Sequence, residues 1–157
     1  MIKSVLKGIA VGLVLVTAAL FVLYLNRTDP WDRVPGKRIT GEEVTEPVDD
    51  WSFMETSTRV TLEVRPSDPY SVNTGYIFHD GVVYVISGRG GESRWAQFLL
   101  QDPNMRIRVG DKLYRVRATR VEDPMLVREL YRGWEQRYPS QAGRSAEESA
   151  QTWFFRI

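Results

Sequence analysis

The 157-residue sequence has no cysteine and a single histidine, His79. The lack of cysteine excludes disulfide bonds, thiolate metal sites and a lipid-modified cysteine. One histidine is too few for a multi-histidine metal site, and it leaves no spare base for a serine–histidine triad. The sequence therefore identifies no catalytic residue and predicts no metal site.

Lysine is also scarce, since only four of the 21 basic residues are lysines, and the net charge of +1 conceals a segregation of charge. Residues 28–58 contain eight acidic and three basic side chains, whereas residues 89–120 contain eight basic and three acidic ones. A basic segment rich in arginine favours small anionic, phosphate-bearing ligands. Nucleic acid is not expected, because aromatic residues are not interleaved among these arginines.

A long run without charge occupies residues 8–26. As a helix it measures about 28 Å, close to the thickness of a bilayer core. Lysines occur in residues 1–7, so the positive-inside rule places that segment in the cytoplasm and the C-terminal domain in the periplasm or otherwise outside the cytoplasm. No small-residue cleavage site follows Leu20, and we therefore expect a single-pass membrane anchor rather than a cleaved signal peptide.

Residues 27–50 combine acidic side chains with three prolines and two glycines and have few large apolar groups. Such a segment buries too little surface to offset its loss of entropy on ordering, which predicts a loose acidic linker. An ordered strap lying over the following domain is the alternative. We expect the folded domain to comprise residues 51–157.

Alternating apolar residues predict strands at 59–65, 72–78 and 82–86, followed by a short helix at 93–101. A hairpin follows, in which a Gly110-Asp111 turn joins residues 105–109 to residues 112–121. Its register pairs Arg106 with Arg115 and places the arginines of the hairpin on one face. Directly opposed arginines repel each other, so this face needs water, acidic groups or an anion beside it.

The C-terminal part contains two helix-start signals. Asp123 before Pro124 is an N-cap signal for a helix whose apolar stripe includes Leu130 and Trp134, and Ser145 with Glu148 forms a capping-box pattern. Residues 153–157 are expected to form a last strand. Together these elements predict an α+β, mainly β fold, namely a small antiparallel barrel with two or three helices after the membrane helix.

The segment from Ser87 to Trp95 is the best candidate for a ligand site. Its three glycines free backbone amides, its two arginines add positive charge, and a helix begins within it, which together can hold an anion. The alternative is a glycine-rich connection that lets the helix pack closely.

The order of these elements resembles the split β-barrel flavin-binding superfamily, and within it the deazaflavin-dependent nitroreductase family. The resemblance extends over residues 59–139 and is carried by Asp80-Gly81, Ser87, Gly90-Gly91, Trp95, Leu99, Pro103-Asn104, Val109-Gly110, Tyr114 to Ala118 and Asp123. The family tends to have proline and asparagine where this chain has Ser93 and Phe98, and its basic glycine turn is altered here to residues 64–68.

The resemblance implies a bound FMN or deazaflavin, a homodimer and reduction of small organic substrates. The phosphate would be held by Arg65, Ser87, Arg89, Gly90, Gly91 and Arg94, and Trp95 would form a wall beside the ring. Haem is a less favoured ligand. A non-catalytic domain for interaction or ligand sensing at the membrane is the alternative function, because a flavin carries the hydride itself and requires no protein nucleophile.

Overall fold

A computed structural model describes residues 2–26, 28–56 and 59–157. Within these ranges, nine strands form two sheets accompanied by four α-helices. The helices are α1 (Ile2–Asn26), α2 (Arg94–Gln101), α3 (Pro124–Arg137) and α4 (Ala146–Ala150). The strands are β1 (Glu42–Val44), β2 (Val60–Val64), β3 (Tyr70–Thr74), β4 (Tyr76–His79), β5 (Val82–Ser87), β6 (Asn104–Val109), β7 (Lys112–Arg117), β8 (Thr119–Arg120) and β9 (Trp153–Arg156).

The strands are arranged in the order β1-β7-β6-β2-β3 in one sheet and β4-β5-β9-β8 in the other. All neighbours are antiparallel except β1 and β7, which are parallel. The chain passes between the sheets three times, at Gly75, in the segment with α2 that joins β5 to β6, and at Ala118. The single strands predicted at 72–78 and 112–121 were therefore wrong, because each is divided between the two sheets.

The hairpin of β6 and β7 has the predicted register, with Arg106 opposite Arg115 and Ile107 opposite Tyr114. Gly110 occupies the turn with a φ of 60°, a conformation that glycine adopts without steric cost. Of the odd positions of β6, Met105 and Ile107 are buried in the core between the sheets, and Val109 is partly buried against it. The even positions point to the other face and form an arginine-rich surface.

The two apolar clusters lie on opposite sides of the four-stranded sheet. One fills the space between the sheets and includes Leu62, Val85 and Phe155, whereas the other lies beneath α3 and includes Leu130 and Trp134. The α3 stripe predicted from the sequence thus faces the sheet. The predicted cap at the start of α3 is confirmed, because the Asp123 carboxylate accepts a hydrogen bond from the amide of Met125.

The capping box of α4 is also confirmed, since the Ser145 hydroxyl and the Glu148 carboxylate each bond to the other's backbone amide. The expected last strand is β9, which lies between β5 and β8. The architecture, α+β and mainly β with a barrel made of two sheets, agrees with the fold predicted from the sequence.

Residues 28–48, here called the strap, are ordered against the five-stranded sheet. Gly36 forms a bridge with Ser71, Ile39 is only 2% exposed, and β1 pairs with β7. Of the two alternatives for this segment, the structure shows the ordered strap and not the loose arm. The division of the chain into an anchor, a linker and a domain that begins at Trp51 stays a prediction.

Helix α1 contains a stretch, Leu6–Asn26, that is long and apolar enough to cross a membrane. Its mean hydropathy reaches 2.5, and none of that window is buried against the rest of the protein. An N-terminal signal sequence can meet the same criteria of length and apolar composition.

Candidate functional site

The loop after β5 is organised around a buried serine. The Ser87 hydroxyl donates a hydrogen bond to the carbonyl oxygen of Gly90 at 2.9 Å and contacts the Ser93 hydroxyl at 2.8 Å. Both serines are buried, at 1% and 8% exposure. Ser87 therefore holds the loop together internally, which orients the start of α2.

The two central glycines of the loop are required by close packing. A Cβ atom on Gly90 would lie 1.9 Å from the carbonyl oxygen of Gln151, and one on Gly91 would lie 2.8 Å from the Trp153 ring. Gly90 also has a φ of 49°, in the left-handed region. The loop thus packs tightly against the end of α4 and the start of β9, as the alternative interpretation of the glycines predicted.

An open cleft lies beside this loop, between the loop, β3 and the tip of the strap. Its volume is about 730 Å³. The cleft is lined by Asp32, Arg33, Val34, Pro35, Tyr70, Val72, Asn73, Arg89, Glu92, Ser93, Arg94 and Trp95. Arg89 and Arg94 are exposed there, whereas Trp95 is 7% exposed and mainly belongs to the core.

Arg65 does not line the cleft, although the sequence placed it among the phosphate ligands. It has a φ of 57°, forms an ion pair with Asp68, and lies over the Phe98 ring at 4.5 Å from the ring centroid. Arg94 lies over the neighbouring Tyr70 ring at 5.2 Å. Phe98, which stands where the family tends to have asparagine, packs edge-on against Tyr70, and Arg94 also lies over its ring, at 5.9 Å from the centroid.

The arginine-rich face of the β6–β7 hairpin is neutralised by acidic groups of the same chain. Arg106 binds Glu63 at 2.7 Å and Glu43 at 2.8 Å. Glu43 also binds Arg115 at 2.6 Å, and thereby bridges the two opposed arginines. We call Glu43, Glu63 and these two arginines the central ion-pair network.

A further ion pair joins the strap to this face. Arg108 lies 2.7 Å from Asp29 and also donates a hydrogen bond to the carbonyl oxygen of Thr40 at 3.0 Å. Part of the acidic excess of residues 28–58 is therefore paired, inside the folded chain, with part of the basic excess of residues 89–120. The hairpin face was expected to need water, acidic groups or an anion beside it, and in the structure acidic groups lie there.

The electrostatics of the network follow from its contacts. The hydrogen bond from Arg115, aided by Arg106, lowers the pKa of Glu43. Burial disfavours the charged form of Arg106, but its contacts with Glu63 and Glu43 outweigh that effect and raise its pKa. Both groups are therefore held in their charged forms.

The structure brings together in the cleft only Arg89, Arg94 and Trp95 of the seven residues predicted for the cofactor. Ser87, Gly90 and Gly91 form the packed base of the loop beside it. Sequence reasoning missed the strap residues Asp32 to Pro35 and the β3 residue Asn73, whose amide donates to the Asp32 carbonyl oxygen at 3.3 Å. No local pattern predicts these lining residues, because they meet only after the strap folds back on β3.

Comparison with known proteins is informative at the level of structure. No sequence-family model and no curated protein matches the chain. A conserved hypothetical protein from Mycobacterium tuberculosis, Rv2991, is 19% identical, with a TM-score of 0.54 over 74% of this chain and 84% of that one. The chain has the split β-barrel fold.

Two further split barrels support this assignment. An F420 reductase is 16% identical, with a TM-score of 0.51 over 71% of this chain and 94% of that one. A Bacteroides thetaiotaomicron protein, proposed to act in resistance to 5-nitroimidazole antibiotics, is 16% identical with a TM-score of 0.52, over 70% of this chain and 80% of that one. The resemblance inferred from the sequence is thus confirmed for the fold.

Proposed function

We propose that this split barrel binds a flavin-type cofactor, FMN or a deazaflavin, and reduces a small organic substrate. The observation that carries the proposal is the cleft, which places two exposed arginines and an aromatic wall in one open space. Two proteins of similar structure, the F420 reductase and the protein linked to nitroimidazole resistance, have names that imply reductive chemistry or its substrates.

The residues of the cleft fit the parts of such a cofactor. Its volume of about 730 Å³ lies in the range of ligand pockets, roughly 300–1,000 Å³. Arg89 and Arg94 would hold the phosphate, because guanidinium groups bind oxyanions in a bidentate manner. Tyr70 and Trp95 would lie beside the ring system, and the bound cofactor would supply hydride transfer.

Acidic groups at the cleft temper its positive charge. Asp32 and Glu92 are among the lining residues, and Asp32 lies 3.7 Å from Arg59. The cleft therefore suits a ligand with one anionic end and a largely neutral body better than a polyanion. Haem fits less well, because the only histidine, His79, lies on β4 near Glu129 of α3 and not among the cleft residues.

We also propose that α1 anchors the domain in a membrane with its C-terminus outside the cytoplasm. The length and hydropathy of Leu6–Asn26 support a membrane span. An alkaline phosphatase fused after Ile157 should be active, since that enzyme requires an oxidising compartment. An inactive phosphatase together with a fluorescent cytoplasmic reporter at the same site would contradict this orientation.

A cofactor titration tests the central proposal. The purified full chain should bind FMN or a deazaflavin at micromolar concentration, and Arg89→Ala and Arg94→Ala should each weaken binding by about tenfold or more, because each removes a charge-assisted hydrogen bond. Arg117→Ala is the matched control, since Arg117 is an exposed arginine that does not line this cleft.

Absence of binding at these concentrations, or equal loss with the Arg117 variant, would contradict the assignment. A Soret absorbance band in the purified protein would favour haem instead. Measuring the mass in solution with and without cofactor would test the homodimer that the resemblance implies.

A second function, without catalysis, is favoured by one observation. Gly90 and Gly91 pack closely against Gln151 and Trp153, and the amides of Glu92 and Ser93 donate hydrogen bonds within the loop, so the loop offers fewer free amides than its sequence suggests. The domain would then act through protein contacts or by sensing an anionic ligand. Cofactor binding without turnover of nitroaromatic or other small acceptors would support this alternative.

A further inference from the structure

We propose that the tight turn Trp31–Val34, at the tip of the strap, is a membrane-contact surface that inserts into the interfacial layer of the bilayer. The inference rests on the proposed anchoring by α1. It adds a second point of contact, which would fix how the split barrel stands on the membrane and where its cleft lies.

The turn presents two apolar side chains on one face. Trp31 and Val34 form an antiparallel bridge, with their amides and carbonyls joined by hydrogen bonds of 3.0 and 2.8 Å. Residues paired in this way project their side chains to the same face. Trp31 is 81% exposed and Val34 is 39% exposed, so the pair forms a small apolar surface open to the surroundings.

The turn is held in a defined shape. Asp32, at its centre, has a φ of 47°, as tight two-residue turns require. Beneath the turn, the Asn73 amide donates to the Asp32 carbonyl oxygen at 3.3 Å. A fixed turn loses little conformational entropy on insertion, which favours membrane contact.

The strap keeps this turn close to the end of α1. The Lys37 amide donates to the carbonyl oxygen of Thr28 at 2.6 Å, which closes residues 28–37 into a loop. The Lys37 ammonium group donates to the carbonyl oxygen of Leu25, in the last turn of α1, at 2.8 Å. Trp31 is five residues beyond Asn26, a reach of at most about 17 Å.

These lengths allow Trp31 to reach the layer of the lipid headgroups. The 21 residues of Leu6–Asn26 make a helix of about 31 Å, which matches a hydrocarbon core of about 30 Å. Asn26 then lies at the boundary of the core. The headgroup layer beyond it is within the reach of Trp31, and tryptophan is enriched in that layer because its ring is apolar while its N–H can bond to water or lipid.

The charges around the turn indicate contact by apolar insertion rather than attraction to anionic lipid. Residues 28–37 contain two basic side chains, Arg33 and Lys37, and two acidic ones, Asp29 and Asp32, so the segment with the turn has no net charge. A segment with little excess of positive charge gains little from an anionic surface. Membrane contact should therefore be similar on zwitterionic and anionic bilayers.

The same turn lines the cleft, because Asp32, Arg33, Val34 and Pro35 all face it. Insertion of Trp31 would hold one wall of the cleft at the membrane surface. The proposed contact would thus orient the cleft toward ligands at the headgroup layer.

Tryptophan quenching by brominated lipid tests the proposal. The full chain is reconstituted in nanodiscs of phosphatidylcholine, with bromine on the acyl chain near the headgroup or near the chain end. Of the five tryptophans, Trp31 is the one with a largely exposed ring, so headgroup-proximal bromine should remove about a fifth of the emission. Trp31→Phe should abolish most of that loss, whereas Trp51→Phe should retain it.

The outcomes separate the contact from the anchor. Failure of the protein to co-elute with nanodiscs would contradict the anchor, and the contact with it. Co-elution with no quenching, or with quenching unchanged in Trp31→Phe, would overturn the contact alone. Quenching that appears only when phosphatidylglycerol is added would also overturn it, because contact would then depend on lipid charge. Trp31 emission that depends on the number of protein molecules in each disc would overturn it as well, in favour of contact with a second copy of the chain.

Discussion

The arginines of the β6–β7 hairpin and those of the loop after β5 occupy contrasting environments. Arg106 is 12% exposed and contacts Glu63 and Glu43, whereas Arg89 and Arg94 are exposed beside an open cleft. The hairpin has the higher density of arginine in sequence. Its positive charge is nevertheless used to bind acidic side chains of the strap and of β2.

This difference shows that the position of acidic partners decides which arginines can serve a ligand. A guanidinium already paired with carboxylates must lose those bonds before it can bind phosphate. The exposed arginines of the cleft have fewer such bonds to lose, so binding phosphate costs them less free energy. The ligand site is therefore expected at the cleft, although the hairpin has the denser positive charge in the sequence.

Removing the buried arginine should have the largest effect. Arg106→Ala leaves the Glu63 carboxylate, 2% exposed, without its charged partner, and should lower the free energy of unfolding by about 3 kcal/mol. Arg115→Ala is the matched control, because Arg115 is 75% exposed, and it should cost less than about 1 kcal/mol. Denaturant unfolding of the full chain in detergent measures both, and equal effects would contradict the distinction between them.

The next effect tests whether the loop beside the cleft is shaped by packing. Gly90→Ala should destabilise the protein by more than about 2 kcal/mol, because both its φ of 49° and the nearby Gln151 oxygen oppose a side chain. Gly81→Ala has a φ of 77° but meets no atom within 4 Å, so it should show only the backbone strain, about 1–2 kcal/mol.

If the two glycine variants are equally stable in thermal unfolding, close packing is not what requires Gly90. The loop would then have room for other contacts, including a ligand.

The ion-pair network should also make stability depend on pH. The pKa of Glu43 is lower in the folded protein than in the unfolded chain. The contribution of Glu43 to the free energy of unfolding is therefore fully present above the unfolded-state pKa, roughly 4.3. That contribution is lost as the pH falls through the lower, folded-state value. Glu43→Gln should flatten this part of the acid unfolding curve, whereas Glu46→Gln, another strap acid, should leave it steep.

The smallest effect is expected at the cleft. Arg94→Ala should change the free energy of unfolding by no more than about 0.5 kcal/mol, since Arg94 is exposed, while it weakens cofactor binding. A large loss of stability would show that the contacts of Arg94 with Tyr70 and Phe98 stabilise the fold. The arginines of the cleft would then not differ from those of the hairpin in being free to bind a ligand.

Features determined by neighbouring residues could be predicted from the sequence. The β6–β7 register follows from a two-residue turn, and the caps at Asp123 and Ser145 follow from residues within one helical turn. Their hydrogen bonds are local, so the sequence pattern contains the needed information.

Features that depend on distant partners could not be predicted in the same way. The change of sheet at Gly75 and Ala118 depends on how the two sheets pack. The strap is ordered by partners on β2 and β6, such as Glu63, which accepts a hydrogen bond from the amide of Ile39. The cleft was only partly predicted for the same reason, since its second wall is the strap.

The strap also has a consequence for the order of synthesis. Asp29 and Glu43 precede their partners Arg108 and Arg106 by 79 and 63 residues, so the strap leaves the ribosome well before the surface that orders it exists. Until β6 and β7 are made, the strap must remain unfolded and hydrated. Its acidic, proline-containing composition suits an unfolded segment in water. The final docking of the strap would then mark completion of the barrel and set the anchor and the cleft in their mature relation.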